Sequence, residues 1–209
     1  SGPLGDHAMR ELVQEARQIA QTYRAAIQGQ PVTPPRPKVL TFDINGQAWT
    51  LSINLSDVWT DGLHRVSASK LRARQRLHAW IDHLALGALV LKNVQHNSHL
   101  TTRDHVLLLN PVQNPTDMLQ TLVETYAKGL VFPLAFMPNL AWAIAEGRSI
   151  SAVATQWHGR RDMPGDADDE HVRLARRGLP PLINDPDCAP VAHRVFGPLL
   201  AAIAGSEKP

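Results

Sequence analysis

Lys70, Arg72, Arg74 and Arg76 fall at every second position in SASKLRARQRLHAWIDHLAL, residues 67–86. Side chains of this type bind phosphate. An arginine fork matches two phosphate oxygens, and each neutralised phosphate releases counterions. With Arg65 they form a basic stripe, whereas residues 162–170 are mostly acidic. Net charge is only +2, so the stripe and not the whole chain would attract a polyanion. Its position is odd. The segment reads as the start of a helix capped by Ser67 or Ser69, and a helix N-terminus disfavours cations.

Other chemistry is thinner. The DADDE stretch, residues 166–170, lacks the alternating ligands and central glycine of an EF-hand loop and reads as a solvated acidic loop. His96, His99 and His105 would have to converge to hold zinc; their polar stretch has no helical spacing and reads as an exposed loop. No Gly-x-Ser-x-Gly elbow and no Walker or Rossmann glycine loop is present, so hydrolase and nucleotide-binding readings are weak. The single cysteine, Cys188, rules out an internal disulfide and suits a reducing compartment. Trp49 and Trp80 read as core. Trp59, beside the Thr60–Gly62 turn, reads as core in preference to an exposed wedge. The tryptophans are not interleaved with cations as a stacking platform would need.

The elements that must position these residues follow from periodicity. Residues 1–8 read as a protease-cleavage and cloning remnant. Residues 9–37 read as an amphipathic helix from Met9 to about Gln28 followed by a proline-rich connector, and 38–209 as the main domain. Two alternating runs flank Asn45-Gly46, with Leu40, Phe42 and Ile44 facing Trp49, Leu51, Ile53 and Leu55. This is a type I′ hairpin signal. With LHRVS, residues 63–67, it predicts a three-stranded antiparallel meander over 38–67. The following helix should bury Leu77, Ile81, Leu84 and Ala88. Residues 105–110 read as a strand. Asn114 and Pro115 open a helix that Gly129 can end, with Leu119, Leu122, Val123 and Tyr126 facing inward. Two short helices, an acidic loop and a closing helix kinked at Gly197-Pro198 complete an α/β reading. No run approaches the roughly 18 apolar residues of a membrane span, and no signal peptide is visible.

Three segments in order, VSASKLRARQRLHAWIDHLAL (66–86), LVETYAKGLVFPLAFMP (122–138) and RVFGPLLAAI (194–203), resemble the C-terminal region of RecC, the gamma subunit of bacterial exodeoxyribonuclease V. The resemblance spans about residues 10–205. It implies a cytoplasmic protein with a restriction-endonuclease-like core of the PD-(D/E)xK type: a small antiparallel or mixed sheet flanked by helices, its catalytic motif degenerate. It also implies RecB-like and RecD-like partner subunits, double-stranded or forked DNA, no membrane and no cofactor.

An active member of that fold needs a metal-binding carboxylate on one strand. The next strand must carry Asp or Glu two residues before a lysine. These groups hold Mg²⁺ and steady the attacking water. Here the expected first strand offers Asn54, and Ala68 stands two before Lys70 on the expected second. Asp57 and Asp61 are the nearby carboxylates. Loss of both motif acids leaves no metal cage, so no catalytic residue and no metal ligand is assigned. Arg65, Lys70, Arg72, Arg74 and Arg76 are the nucleic-acid-binding candidates. On an ideal helix Lys70 and Arg74 fall within about 40° of each other, and Arg72 and Arg76 lie opposite. Three readings fit such a protruding charged end: phosphate contact, docking on an acidic partner face, and plain solvation. An active nuclease with a migrated carboxylate and a scaffold without DNA contact are the alternatives to a strand-guiding domain.

Overall fold

The computed structural model describes residues 2–34, 37–161 and 163–207. Parts of three sequence readings lie outside the described residues: Pro35 and Arg36 of the connector, Asp162 of the acidic loop, and the outermost positions 1, 208 and 209. In chain order the elements are α1 (Pro3–Ala26), β1 (Pro31–Val32), β2 (Lys38–Ile44), β3 (Gln47–Ile53), β4 (Val58–Trp59), β5 (Gly62–Val66), α2 (Ala73–Leu89), β6 (Ser98–Thr101), β7 (Val106–Leu109), α3 (Pro115–Val131), α4 (Pro138–Ala145), α5 (Ile150–His158), α6 (Glu170–Ala175), α7 (Cys188–Ala202) and β8 (Ile203–Glu207). The architecture is α/β. A mixed sheet of order β1-β4-β5-β6-β7-β8 is flanked by helices, and β2-β3 form a separate pair.

The hairpin forms where its turn chemistry demands. Asn45 and Gly46 both have positive φ, 55° and 76°, which a type I′ turn requires. The Asp43 carboxylate accepts from the Gly46 N–H at 3.0 Å. Register runs from Ile44 opposite Gln47 to Lys38 opposite Ile53, so Phe42, Ile44 and Ile53 are buried on one face. The expected third strand does not join it. Asp57 turns the chain through a left-handed conformation (φ 58°), and β4 and β5 pair inside the other sheet. The 38–67 meander is therefore split between two sheets.

β5 and β6 are parallel and joined through α2, the long crossover that parallel strands need. The close contact at their start requires glycine. Gly62 has φ 135°, and a Cβ there would lie 2.5 Å from the Asn97 carbonyl oxygen. α2 buries Ala79, Trp80, Leu84, Leu86 and Ala88 between the sheet and α3 and α4, in a core to which α7 adds Phe196 and Leu199. Sealing Leu84 and Leu86 contributes about 2 kcal/mol each. Ile81, expected in the buried stripe, is 36% exposed, and Tyr126 of α3 is 61% exposed. Both sit at the edge of their helix's apolar face; Tyr126 stands edge-on to Trp49 at 6.3 Å between centroids. Trp80 is core as expected, whereas Trp49 and Trp59 are half-buried.

Other boundaries differ from expectation. α1 begins at Pro3 within the segment set aside, the proline taking an early helical position. Gly129 lies inside α3, which continues to Val131. α7 keeps its internal Pro198, and its end feeds β8, which pairs antiparallel with β7. A smaller core of Ala135, Leu140, Trp157, Leu182 and Cys188 lies under α5.

Candidate nucleic-acid interface

α2 starts at Ala73, not at Lys70. Arg72 is its N-cap, extended at φ −108°, and no side chain caps the helix. Lys70 and Arg72 therefore precede the helix, and only Arg74 and Arg76 lie in its first turns. The conflict with the helix dipole is smaller than the sequence suggests, because two of the four cations are outside the ladder.

The segment between β5 and α2 is held in place by its neighbours. Ser67 N–H donates to the Thr101 carbonyl at 2.8 Å, and Arg103 N–H donates to the Ser69 carbonyl at 3.2 Å. The hydroxyls of Ser67 and Ser69 are 2.8 Å apart, and Gln75 donates to the Ser69 hydroxyl at 3.0 Å. Leu71 is buried, and its N–H donates to Asp104 Oδ1 at 2.8 Å. Burial pushes the Asp104 carboxyl up, but the Leu71 N–H together with His105 and Thr102 outweighs it and holds the group below its usual range. The backbone is thus pinned, while Lys70, Arg72 and Arg74 are exposed and form no ion pair with a described residue. We call this protruding segment the shoulder.

The two flanking candidates are engaged internally. Arg65 Nε donates to Asp82 Oδ2 at 2.9 Å, and its Nη1 reaches Asp57 Oδ2 at 3.0 Å and the Ser56 hydroxyl at 2.9 Å. Arg76 lies over the Trp142 ring, 4.5 Å from the centroid, and donates to the Leu71 carbonyl at 3.0 Å. Burial lowers the Arg76 pKa. Its expected position opposite the apolar stripe is corrected: it faces α4 and fixes the start of α2 there. Its partner Trp142 is remote in sequence, so no local signal announces the contact.

The expected nuclease register is not formed. β3 ends at Ile53 and β5 at Val66, so Asn54, Ala68 and Lys70 are all in connecting segments. β3 and β5 also belong to different sheets, so the two motif segments do not lie on neighbouring strands. Asp57 is bound to Arg65. Asp61 Oδ2 accepts from Gln28 N–H at 2.8 Å and stands 3.2 Å from His64 Nε2.

The histidine stretch is an exposed loop only in part: His99 lies on the central strand β6, whereas His96 and His105 are half-buried in the segments that flank it. Ser98 and Thr101 of β6 are buried, and His99 stacks on buried His64 at 4.6 Å. Ser98 Oγ lies 2.8 Å from His83 Nδ1. Burial keeps His83 neutral by pushing its pKa down to about 4. The acidic stretch is not merely solvated. Asp168 Oδ2 accepts from Gly165 N–H at 2.8 Å, Asp169 Oδ1 accepts from His171 N–H at 2.8 Å at the start of α6, and Asp166 is half-buried with its pKa raised by burial. No three His, Cys, Asp or Glu side chains among the described residues are grouped to hold a metal ion. No described helix is long and apolar enough to cross a membrane.

A helix-flanked mixed sheet with an exposed cationic segment on a pinned backbone defines an α/β domain. The model of the RecC C-terminal domain family matches residues 1–149, and the chain belongs to that family. The match includes the shoulder and the 122–138 segment; RVFGPLLAAI, at 194–203, lies beyond it. No curated protein matches the chain.

Proposed function

We propose that this chain is a non-catalytic part of a RecBCD-type helicase–nuclease, a cytoplasmic DNA-repair machine, where it guides DNA strands and docks partner subunits. The carrying observation is the pinned shoulder with Lys70, Arg72 and Arg74 exposed. A rigid backbone bearing uncommitted cations suits contact with phosphates without base reading, so register on DNA would come from the backbone alone. The antiparallel β4-β5 pair feeding the β5-α2-β6 crossover supports a restriction-endonuclease-like core. Residues 38–209 would then be that nuclease-like domain. Asn54, Ala68 and the engagement of Asp57 and Asp61 support loss of catalysis, since no pair of free carboxylates would confront a metal.

A separate observation favours docking. Tyr126, Leu130, Val131 and Phe132 at the end of α3 are each more than 60% exposed and lie in one short stretch. Contiguous apolar exposure of this kind is a common mark of a partner surface. RecB-like and RecD-like subunits are the partners we propose for it.

Fluorescence anisotropy on a labelled forked duplex, at about 50 and 200 mM salt with Mg²⁺ present, tests the reading. Binding that weakens with salt while a denaturing gel shows intact DNA is expected. Mg²⁺-dependent fragments that disappear in an Asp57→Asn, Asp61→Asn variant would reveal a living nuclease instead.

A further inference from the structure

A second cationic place lies beyond the shoulder. A recess of about 260 Å³ opens beside the last turn of α5, lined by Arg148, Thr155, Gln156, Arg160 and Met163 among others. Among the described residues no carboxylate lines it, although Glu146 and Asp166 accept hydrogen bonds from two of its lining side chains, Arg148 and Gln156. The recesses beside α1, beside the hairpin and beside the β4-β5 turn are each lined by at least one carboxylate.

Both arginines keep their forks available. Arg148 donates through Nε to Glu146 at 2.6 Å, and its two terminal nitrogens form no hydrogen bond or ion pair with a described residue. Arg160 is exposed, and its side chain forms neither. Its backbone is fixed by reciprocal hydrogen bonds with Met163, Arg160 N–H to the Met163 carbonyl at 2.8 Å and Met163 N–H to the Arg160 carbonyl at 3.0 Å. Two glycines make that loop tight. Gly159 has φ 75°, and a Cβ on it would lie 2.4 Å from Gly165 N; a Cβ on Gly165 would lie 2.3 Å from the Trp157 carbonyl. A wall built this closely presents its cations with little ordering cost on binding.

Arg76 joins the start of α2, which the shoulder precedes, to α4, which Arg148 follows. The Arg76 guanidinium rests on Trp142 of α4. Burial chiefly, with the nearby Arg148 charge adding to it, lowers the Arg76 pKa, although Glu146 and Asp104 act the other way.

We propose that the Arg148–Arg160 recess is a phosphodiester subsite for a single DNA strand that also lies against Lys70, Arg72 and Arg74. This deepens the DNA reading above and rests on it. Two arginines on a wall whose other described lining residues are uncharged suit one backbone phosphate, and a phosphate contact carries no sequence information, so the subsite is indifferent to sequence. Arg160 lies outside the 149 residues that the family matches, so the subsite extends this chain's track beyond that region.

The test uses the whole chain and a 5′-labelled single strand of about 30 nucleotides, longer than the site of one single-strand-binding fold. Arg148→Ala with Arg160→Ala should lower affinity about tenfold at low salt and reduce the log K against log salt slope by about 1.4, two contacts at about 0.7 each. Arg160→Lys, which keeps charge without the fork, should fall between. Arg161→Ala removes an adjacent exposed charge outside the recess and should change affinity less than about twofold. The inference is overturned if the double variant binds with wild-type affinity and slope, or if Arg161→Ala weakens binding as much as the double variant does. If the wild-type chain itself binds no strand at any salt, the DNA reading fails first and takes the subsite with it.

Discussion

The two ends of α2 treat polar groups in opposite ways. At its start, Lys70, Arg72 and Arg74 are exposed and unpaired among the described residues. In its second half, His83 is 2% exposed, stacked on Trp80 at 5.5 Å and held beside Ser98 Oγ. One helix thus carries a sealed, neutral polar group against the sheet and a set of charges outside it. Between them lies Arg76, charged but set on an aromatic ring. The difference separates what stabilises the fold from what is left to contact a ligand. Buried polar groups must be satisfied internally, whereas exposed cations on a fixed backbone are not needed for folding.

The largest expected effect sharpens the sealed side. His83 has a folded-state pKa of about 4 against 6.5 for the ordinary group. The unfolded chain therefore binds a proton more readily. Stability is fully present above pH 6.5, falls between pH 6.5 and 4, and levels off below. The loss amounts to about 3 kcal/mol. Urea unfolding across that range should show it, and His83→Gln should flatten the curve there. An unchanged slope in that variant would assign the acid sensitivity to other groups.

Next is the intermediate residue. Arg76→Ala removes the contact with Trp142 and the hydrogen bond to the Leu71 carbonyl and should cost about 2 kcal/mol, measured by denaturant midpoint. Its effect on DNA affinity should be small beside that of the shoulder residues. A variant that keeps its stability and loses DNA binding would move Arg76 to the exposed group.

Arg65→Ala should have the smallest effect, under about 1 kcal/mol, because its partners Asp57 and Asp82 are 53% and 34% exposed. Added salt should shrink it further. Insensitivity to salt would mean that the Arg65 cluster acts through packing.

How much of this was legible varied with the physics of each segment. Asn45-Gly46 announced its hairpin because positive φ at both positions is a local demand. Pro115 marked a helix start for a different but equally local reason, its fixed negative φ and missing N–H. β6 was misread because its sequence, SHLT within HNSHLTTRDH, is polar. The strand buries Ser98 and Thr101, and Ser98 meets a histidine from α2, a contact no periodicity can reveal. The split of the meander rests on left-handed Asp57, a residue type that tolerates but does not signal that conformation. β8 follows a helix end and depends on pairing with β7.

The candidate site was half legible. Sequence alone identified the five cations but could not separate them. Arg65 is claimed by carboxylates on β4's approach and on α2, and Arg76 by a tryptophan on α4. Both partners are tertiary. Lys70, Arg72 and Arg74 remain because the backbone around them is pinned through Leu71 and Asp104, again a contact between segments distant in the chain.

In the proposed function these three exposed cations, and not net charge, meet DNA. Its most direct test is the salt dependence of forked-duplex binding by the wild type and by a Lys70→Ala, Arg72→Ala, Arg74→Ala variant. Three lost phosphate contacts should lower the log–log slope by about 2.7. The thermal midpoint should stay within the small range typical of surface substitutions. Equal slopes for the two proteins would contradict the claim and leave the shoulder as a partner surface or plain solvated edge.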